Sequence, residues 1–179
     1  GDSDRGAGLA KAQYQAADNM TDRQGALTVL ASLDVPERDE AFADFYARYR
    51  DDSLVLHKWF ALRASAQCGD TIDIVESLAR HPDFTIRNPN RWRALVSHFA
   101  ANQWAYHHVS GRGYRFLADM ILEIGRLNPQ VAARQVPSLG RWKRFEPNRA
   151  ALMRAELERI VRTQGLSKDV FEQASKSLA

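Results

Sequence analysis

Apolar residues recur at helical spacing in nearly every segment of the chain and alternate at strand spacing almost nowhere, which predicts an all-α fold. Ala26, Val29, Leu30 and Leu33 fall at offsets 0, 3, 4 and 7, as do Phe42, Phe45, Tyr46 and Tyr49, and again Trp92, Leu95, Val96 and Phe99. Each set makes one stripe on one helix. Looser versions run through Ile72, Val75, Leu78 and Ala79, through Tyr114, Leu117, Ile121 and Ile124, through Met153, Leu157, Ile160 and Val161, and through Val170, Phe171, Ala174 and Leu178. Residues 54–62 differ, because Leu54, Val55, Leu56, Trp59, Phe60 and Leu62 cover most of the circumference. A helix apolar nearly all round is expected to be central and packed on several sides.

Polar residues punctuate these stripes. Thr21 with Gln24 reads as a capping box, and Asp70 and Ser167 as simple N-caps. Asn88-Pro89 and Asn128-Pro129 each set a capping side chain before a proline at the first helical position, where a missing N–H costs nothing. These two starts lie 40 residues apart. The pattern predicts about ten helices in antiparallel pairs, stacked as an irregular α-solenoid of the armadillo or HEAT kind. No sequence repeat accompanies the spacing, and no linker rich in Gly, Ser or Pro divides the chain, so residues 1–179 read as a single helical domain.

Composition adds limits. The proportions, 45% hydrophobic and 26% charged, are those of a globular domain and exclude disordered and low-complexity classes. No stretch approaches the roughly 18 consecutive apolar residues of a membrane-spanning helix, and no apolar signal core follows Gly1. We therefore expect a soluble, cytoplasmic protein with no membrane partner. Because the first residue is glycine, the chain is expected to be processed or cut from something longer. The single cysteine, Cys68, reads as a reduced thiol packed like a small apolar residue. Charge is uneven: residues 1–90 carry 10 basic and 15 acidic side chains, and residues 91–179 carry 15 and 7. The basic excess gathers at Arg134, Arg141, Lys143, Arg144, Arg149, Arg154, Arg159 and Arg162, but Glu146, Glu156 and Glu158 interrupt it. A solvated helix face, not a nucleic-acid patch, is the expectation.

The search for a catalytic centre is mostly negative. His57, His81 and His98 read as hydrogen-bonded structural histidines, and the side chains of His107 and His108 diverge from neighbouring positions, so no metal site is expected. No pair of histidines at i,i+4 flanks a glutamate, and no serine sits in a nucleophile elbow. Ser110-Gly111-Arg112-Gly113-Tyr114 opens a helix but lacks the lysine and the strand of a phosphate loop, so it reads as an interhelical turn. Trp59, Trp92, Trp104, Trp142, Tyr46, Tyr49, Tyr106 and Tyr114 are taken first as structural.

Several strings go further: Asn19-Met20-Thr21-Asp22, Lys58-Trp59-Phe60, Phe84-Thr85-Ile86-Arg87-Asn88-Pro89-Asn90-Arg91, Gly113-Tyr114 with Phe116-Leu117, and Asn128-Pro129-Gln130-Val131-Ala132. In this order and at these spacings the chain, from about residue 10 to its end, resembles the C-terminal helical domain of bacterial aminopeptidase N, a zinc metalloaminopeptidase. The resemblance implies a larger multidomain enzyme whose zinc-bearing catalytic domain lies N-terminal to this chain and is its partner. It implies a cap that covers the catalytic chamber and admits short peptides as substrates. No zinc motif, general base or other catalytic residue is present, so this chain is expected to hold no cofactor of its own. Arg93 and Arg134 match family arginines that line the chamber near the carboxyl side of the substrate. Each lies at the flank of its helix's apolar stripe, where an arginine can bury its stem and turn its guanidinium outward. The alternative is a free-standing helical-repeat module that binds a protein or nucleic acid.

Overall fold

The computed structural model describes residues 2–179; Gly1, on which the expectation of processing rests, lies outside the described residues. Helices α1 (Asp2–Ala16), α2 (Met20–Ala31), α3 (Pro36–Tyr49), α4 (Ser53–Ala64), α5 (Thr71–Leu78) and α6 (Pro89–Ala101) are followed by the single turn α7 (Gln103–Tyr106). Then come α8 (Arg112–Gly125), α9 (Pro129–Gln135), the turn α10 (Pro137–Gly140), a 3-10 turn (Trp142–Arg144), α11 (Pro147–Arg162) and α12 (Lys168–Leu178). There is no strand among the described residues. The all-α expectation stands.

The helices form two layers. Helices α2, α4, α6, α9 and α12 lie side by side in one, and α3, α5, α8 and α11 in the other, with α1 packed against α2 and α3. Neighbours within a layer run parallel. Arg91 at the start of α6 reaches Ser53 at the start of α4, while Asn102 just past α6 donates to the carbonyls of Ala64, the last residue of α4, and of Ala66 just beyond it (3.1 and 2.7 Å). Asn102 is buried, and its Oδ1 also accepts from the Ala105 N–H at 3.2 Å, so one side chain ends α4 and starts α7. Bonds between successive pairs join residues about one repeat apart. Arg91 and Ser53 are separated by 38 positions, as are Ser97 and Gln135, and Arg112 and Asp73 by 39. The repeat that leaves no trace in residue identity is therefore present as a register of contacts.

One hydrophobic cluster runs from Ala10 to Ala174, and Trp92, Leu95, Val96, Phe99, Tyr114, Leu117, Ile121 and Ile124 are all fully enclosed in it. Caps at Asn88, Asn128 and Ser167 hold as expected. Four expectations need correction. The start of α2 is capped by Asn19, whose Oδ1 accepts from Asp22 N–H at 2.9 Å; Thr21 lies inside the helix, so it forms no capping box. The stripe of α2 is rotated: Leu27 and Ala31 are buried while Val29 is 51% exposed, because α2 is covered by α1, α3 and α4. Asp70 stands at the N-cap of α5 without capping it, since Arg38 takes its carboxylate. Leu54, in the first turn of the central helix α4, is 73% exposed, and Phe171 and Trp104 also face outward.

Candidate functional site

Helix α6 is set by its Asn88 cap, whose Oδ1 accepts from the N–H groups of Asn90 and Arg91 at 3.0 and 3.2 Å. That start places Arg93 one turn in, half-buried, with its Nη1 donating to the neutral amide oxygen of Asn90 at 3.1 Å. Arg134 occupies the last turn of α9 and is exposed, with no ion pair among the described residues. A polar seam joins the two helices. Ser97, one turn beyond Arg93, donates to Gln135 Oε1 at 2.7 Å, and Gln135 Nε2 donates to Ser138 Oγ at 2.8 Å. Tyr106 OH donates to the Ser138 carbonyl at 3.0 Å, beside a small cavity of about 40 Å³ that Arg141 and His107 also line. No carboxylate belongs to this set. The linking residues Ser97, Gln135, Ser138 and Arg141 were missed by sequence reasoning; the 38-residue spacing of Ser97 and Gln135 is the signal that points to them.

Most of the remaining basic excess on α11 is neutralised where it stands. On α11, Arg149 pairs with Glu146, Arg154 and Arg162 both pair with Glu158, and Arg159 pairs with Glu156 and with Asp119 of α8. Across the groove between α5 and α8, Arg112 is shared by Asp73 and Glu76 at 2.8 Å each. These arginines stabilise helices and fasten layers. Of that cluster, Arg134, Arg141 and Arg144 lack any ion pair with an acid among the described residues, and Lys143 donates to the Ala179 carbonyl at 3.0 Å.

The titratable cores are also accounted for. Every histidine has its Nδ1 engaged: His57 by Arg91 Nε (2.9 Å), His81 by the Asp83 N–H (3.0 Å), His98 by the Arg93 carbonyl (3.1 Å), His107 by Tyr114 OH (2.8 Å) and His108 by Ser110. Burial, and then the nearby Arg149 and Arg141, push the His107 imidazole below its ordinary value; burial pushes the Tyr114 hydroxyl up to about 12. Asp34, Cys68 and Asp70 converge closely enough to suggest a metal, but Arg38 already fills that space. Its Nη1 donates to Cys68 Sγ at 3.3 Å and to Asp70 Oδ1 at 3.0 Å. A guanidinium in that position makes a second cation unfavourable, so the residues present do not fit a catalytic zinc. The turn at Ser110–Gly113 offers little to an anion. The N–H groups of Ser110, Gly111 and Arg112 are spent on His108 and Ser110, Gly111 takes φ +74°, and a Cβ on Gly113 would overlap the Tyr106 carbonyl.

All of residues 1–179 match the family described as a domain of unknown function (DUF3458_C) with ARM repeats. The chain belongs to the DUF3458_C family. Armadillo repeats are the architecture that the stacked pairs display. Curated relatives of this chain are named aminopeptidase N: the protein of Haemophilus influenzae is 44% identical over 97% of this chain, that of Caulobacter vibrioides 47% over 92%, and that of Escherichia coli K12 37% over 96%. A crystal structure of Legionella pneumophila aminopeptidase A in complex with aspartic acid superposes with a TM-score of 0.91 at 32% identity, covering 99% of this chain. The resemblance to the C-terminal helical domain of aminopeptidase N thus extends over the whole chain. The chain spans about a fifth of the length of these relatives (19–21%).

Proposed function

We propose that residues 1–179 are the non-catalytic C-terminal cap of a multidomain, cytoplasmic zinc aminopeptidase. The cap covers the catalytic chamber, limits entry to short peptides, and meets the carboxyl side of the peptide through Arg93 and Arg134. The zinc and its chemistry belong to another part of the parent chain, and this part contributes binding and exclusion. The observation that carries the reading is the carboxylate-free seam: Arg93 and Arg134 sit on helices tied together by Ser97 and Gln135, and neither guanidinium is neutralised by an acid among the described residues. An unneutralised arginine fork suits a peptide carboxylate.

Such a contact is made alike in ground and transition states, so its loss raises KM more than it lowers kcat. A charge-assisted bond is worth about 1.5–3 kcal/mol, with solvent in the channel favouring the lower end, so Arg134→Ala in the intact enzyme should cut kcat/KM for short peptides about tenfold. Aminoacyl anilides, which carry no carboxylate, should be hydrolysed as before. Equal losses on both substrate types, or none on either, would remove the assignment.

A further inference from the structure

The first turn of α6 is held by an arginine that is buried and yet bonded largely to neutral groups. Arg91 donates from Nε to His57 Nδ1 at 2.9 Å, from Nη2 to Ser53 Oγ at 3.2 Å and from Nη1 to the Asp83 carbonyl, and its guanidinium lies over the Phe60 ring. Arginine can only donate, so the first bond settles the state of the partner. His57 must carry its proton on Nε2 and leave Nδ1 free as the acceptor. Adding a proton at Nδ1 abolishes the bond and sets two cations against each other.

The surroundings offer that second charge little relief. Facing this corner are Arg91 itself, Tyr46 on α3 with Arg50 over its ring and Asp51 acting on its hydroxyl, and the loop residues His81 and Asp83. Of the two carboxylates among them, Asp83 already accepts from the Tyr46 hydroxyl, and neither acts on the imidazole, which feels burial and the Arg91 charge. His81 stands two residues before Asp83, where its Nδ1 accepts from the Asp83 N–H and its ring packs edge-on against Tyr46, Trp59 and Phe60. The Asp83 N–H thus needs an unprotonated His81 Nδ1, and the Asp83 carbonyl accepts from Arg91, whose own bond needs an unprotonated His57 Nδ1.

We propose that His57 and Arg91 form a proton-gated latch that fixes the first turn of α6 against α4, with Arg91 as the positioning residue and Arg93, two residues on, as the group it presents. Above the titration of His57 the latch is closed and Arg93 is held in place. Below it the guanidinium is released from His57, and the turn that carries Arg93 loosens. The latch itself needs no ligand; its consequence for peptides rests on the role given to Arg93 above.

The test has two arms. In the 179-residue chain, labelled for NMR, His57 should show the Nε2–H form at pH 7.5 and the Arg91 Nε–H signal should be protected. At pH 5, protection at Arg91 Nε–H and at the Trp92 and Arg93 amides should be lost beyond the chemical pH dependence of exchange. His57→Asn places a non-titrating oxygen near the position of Nδ1 and should keep protection at both pH values. A His57 ring protonated on Nδ1 at pH 7.5, or an acid response undiminished in His57→Asn, would overturn the latch. In the intact aminopeptidase, His57→Asn should flatten the acid rise of KM for short peptides relative to anilides. If the first arm succeeds and the second shows no such flattening, the latch stands and the role of Arg93 in holding peptides is refuted.

Discussion

Arg38 and Asp70 meet fork to fork, Nη1 to Oδ1 at 3.0 Å and Nη2 to Oδ2 at 2.6 Å, and so fasten α3 to the start of α5 across 32 residues of chain. Arg38 is buried, and Cys68 Sγ and Asp39 complete its shell. Burial disfavours the Asp70 carboxylate, but the Arg38 bonds outweigh it and hold the group below its usual range. Removing the cation leaves polar acceptors stranded between two helices. Arg38→Ala should therefore destabilise the chain by about 3 kcal/mol, the low end for a buried pair because Asp70 is part-exposed. Arg38→Lys should recover little, since an ammonium cannot reproduce the fork. Urea unfolding followed by circular dichroism checks both.

Two buried tryptophans allow an internal comparison. Trp59 Nε1 donates to the Phe42 carbonyl at 2.9 Å, whereas Trp92 Nε1 is enclosed with no acceptor. Replacement by phenylalanine leaves a gap at each position, but at Trp92 it also removes an unsatisfied donor. Trp59→Phe should be the costlier change by about 1 kcal/mol. Equal costs would show that the Trp92 N–H has a partner in solution.

Gly113 is required for closeness. The second residue of α8 runs so near the Tyr106 carbonyl that a methyl group would overlap main chain, which cannot swing aside. Gly113→Ala should cost about 3 kcal/mol or more even though alanine favours helices. Gly25→Ala, where a Cβ meets nothing, should be neutral or stabilising and serves as the control. Thermal unfolding of the two variants distinguishes these outcomes.

Acid should weaken the fold in a defined order. Burial, then the neighbouring Arg91, lowers the affinity of His57 for a proton, and His107 behaves likewise through burial, Arg149 and Arg141. The unfolded chain takes up these protons more readily, so stability is fully present above the ordinary histidine value of about 6.5 and falls as pH drops below it. The Asp44 and Asp70 carboxyls are held low by Arg48 and Tyr14 and by Arg38, against the opposing effect of burial, so their contribution is lost only at still lower pH. Unfolding free energies between pH 4.5 and 8 should show the first loss, and it should shrink in His57→Asn.

Helical period, proline-marked starts and the enclosed stripes of α6 and α8 were legible from residue order alone, because each depends on interactions within a few positions. Asn88 and Asn128 cap as read since a side-chain oxygen needs only the N–H groups two or three residues on. The family resemblance was legible for a different reason, as short strings kept in order. What failed was whatever a distant neighbour decides. Asp70 has the chemistry of a cap, but Arg38, 32 positions away, offers it a stronger bond. Val29 and Leu27 are alike in apolarity, and only the placement of α1, α3 and α4 determines which is covered. The seam of Ser97, Gln135 and Ser138, and the tautomer that Arg91 imposes on His57, join residues 34–38 apart or close a chain that does, so they exist only once the layers stack. Local order fixes which residues make a helix and where it starts; partners for the polar groups on its flanks come from other repeats, and those partners decide the chemistry.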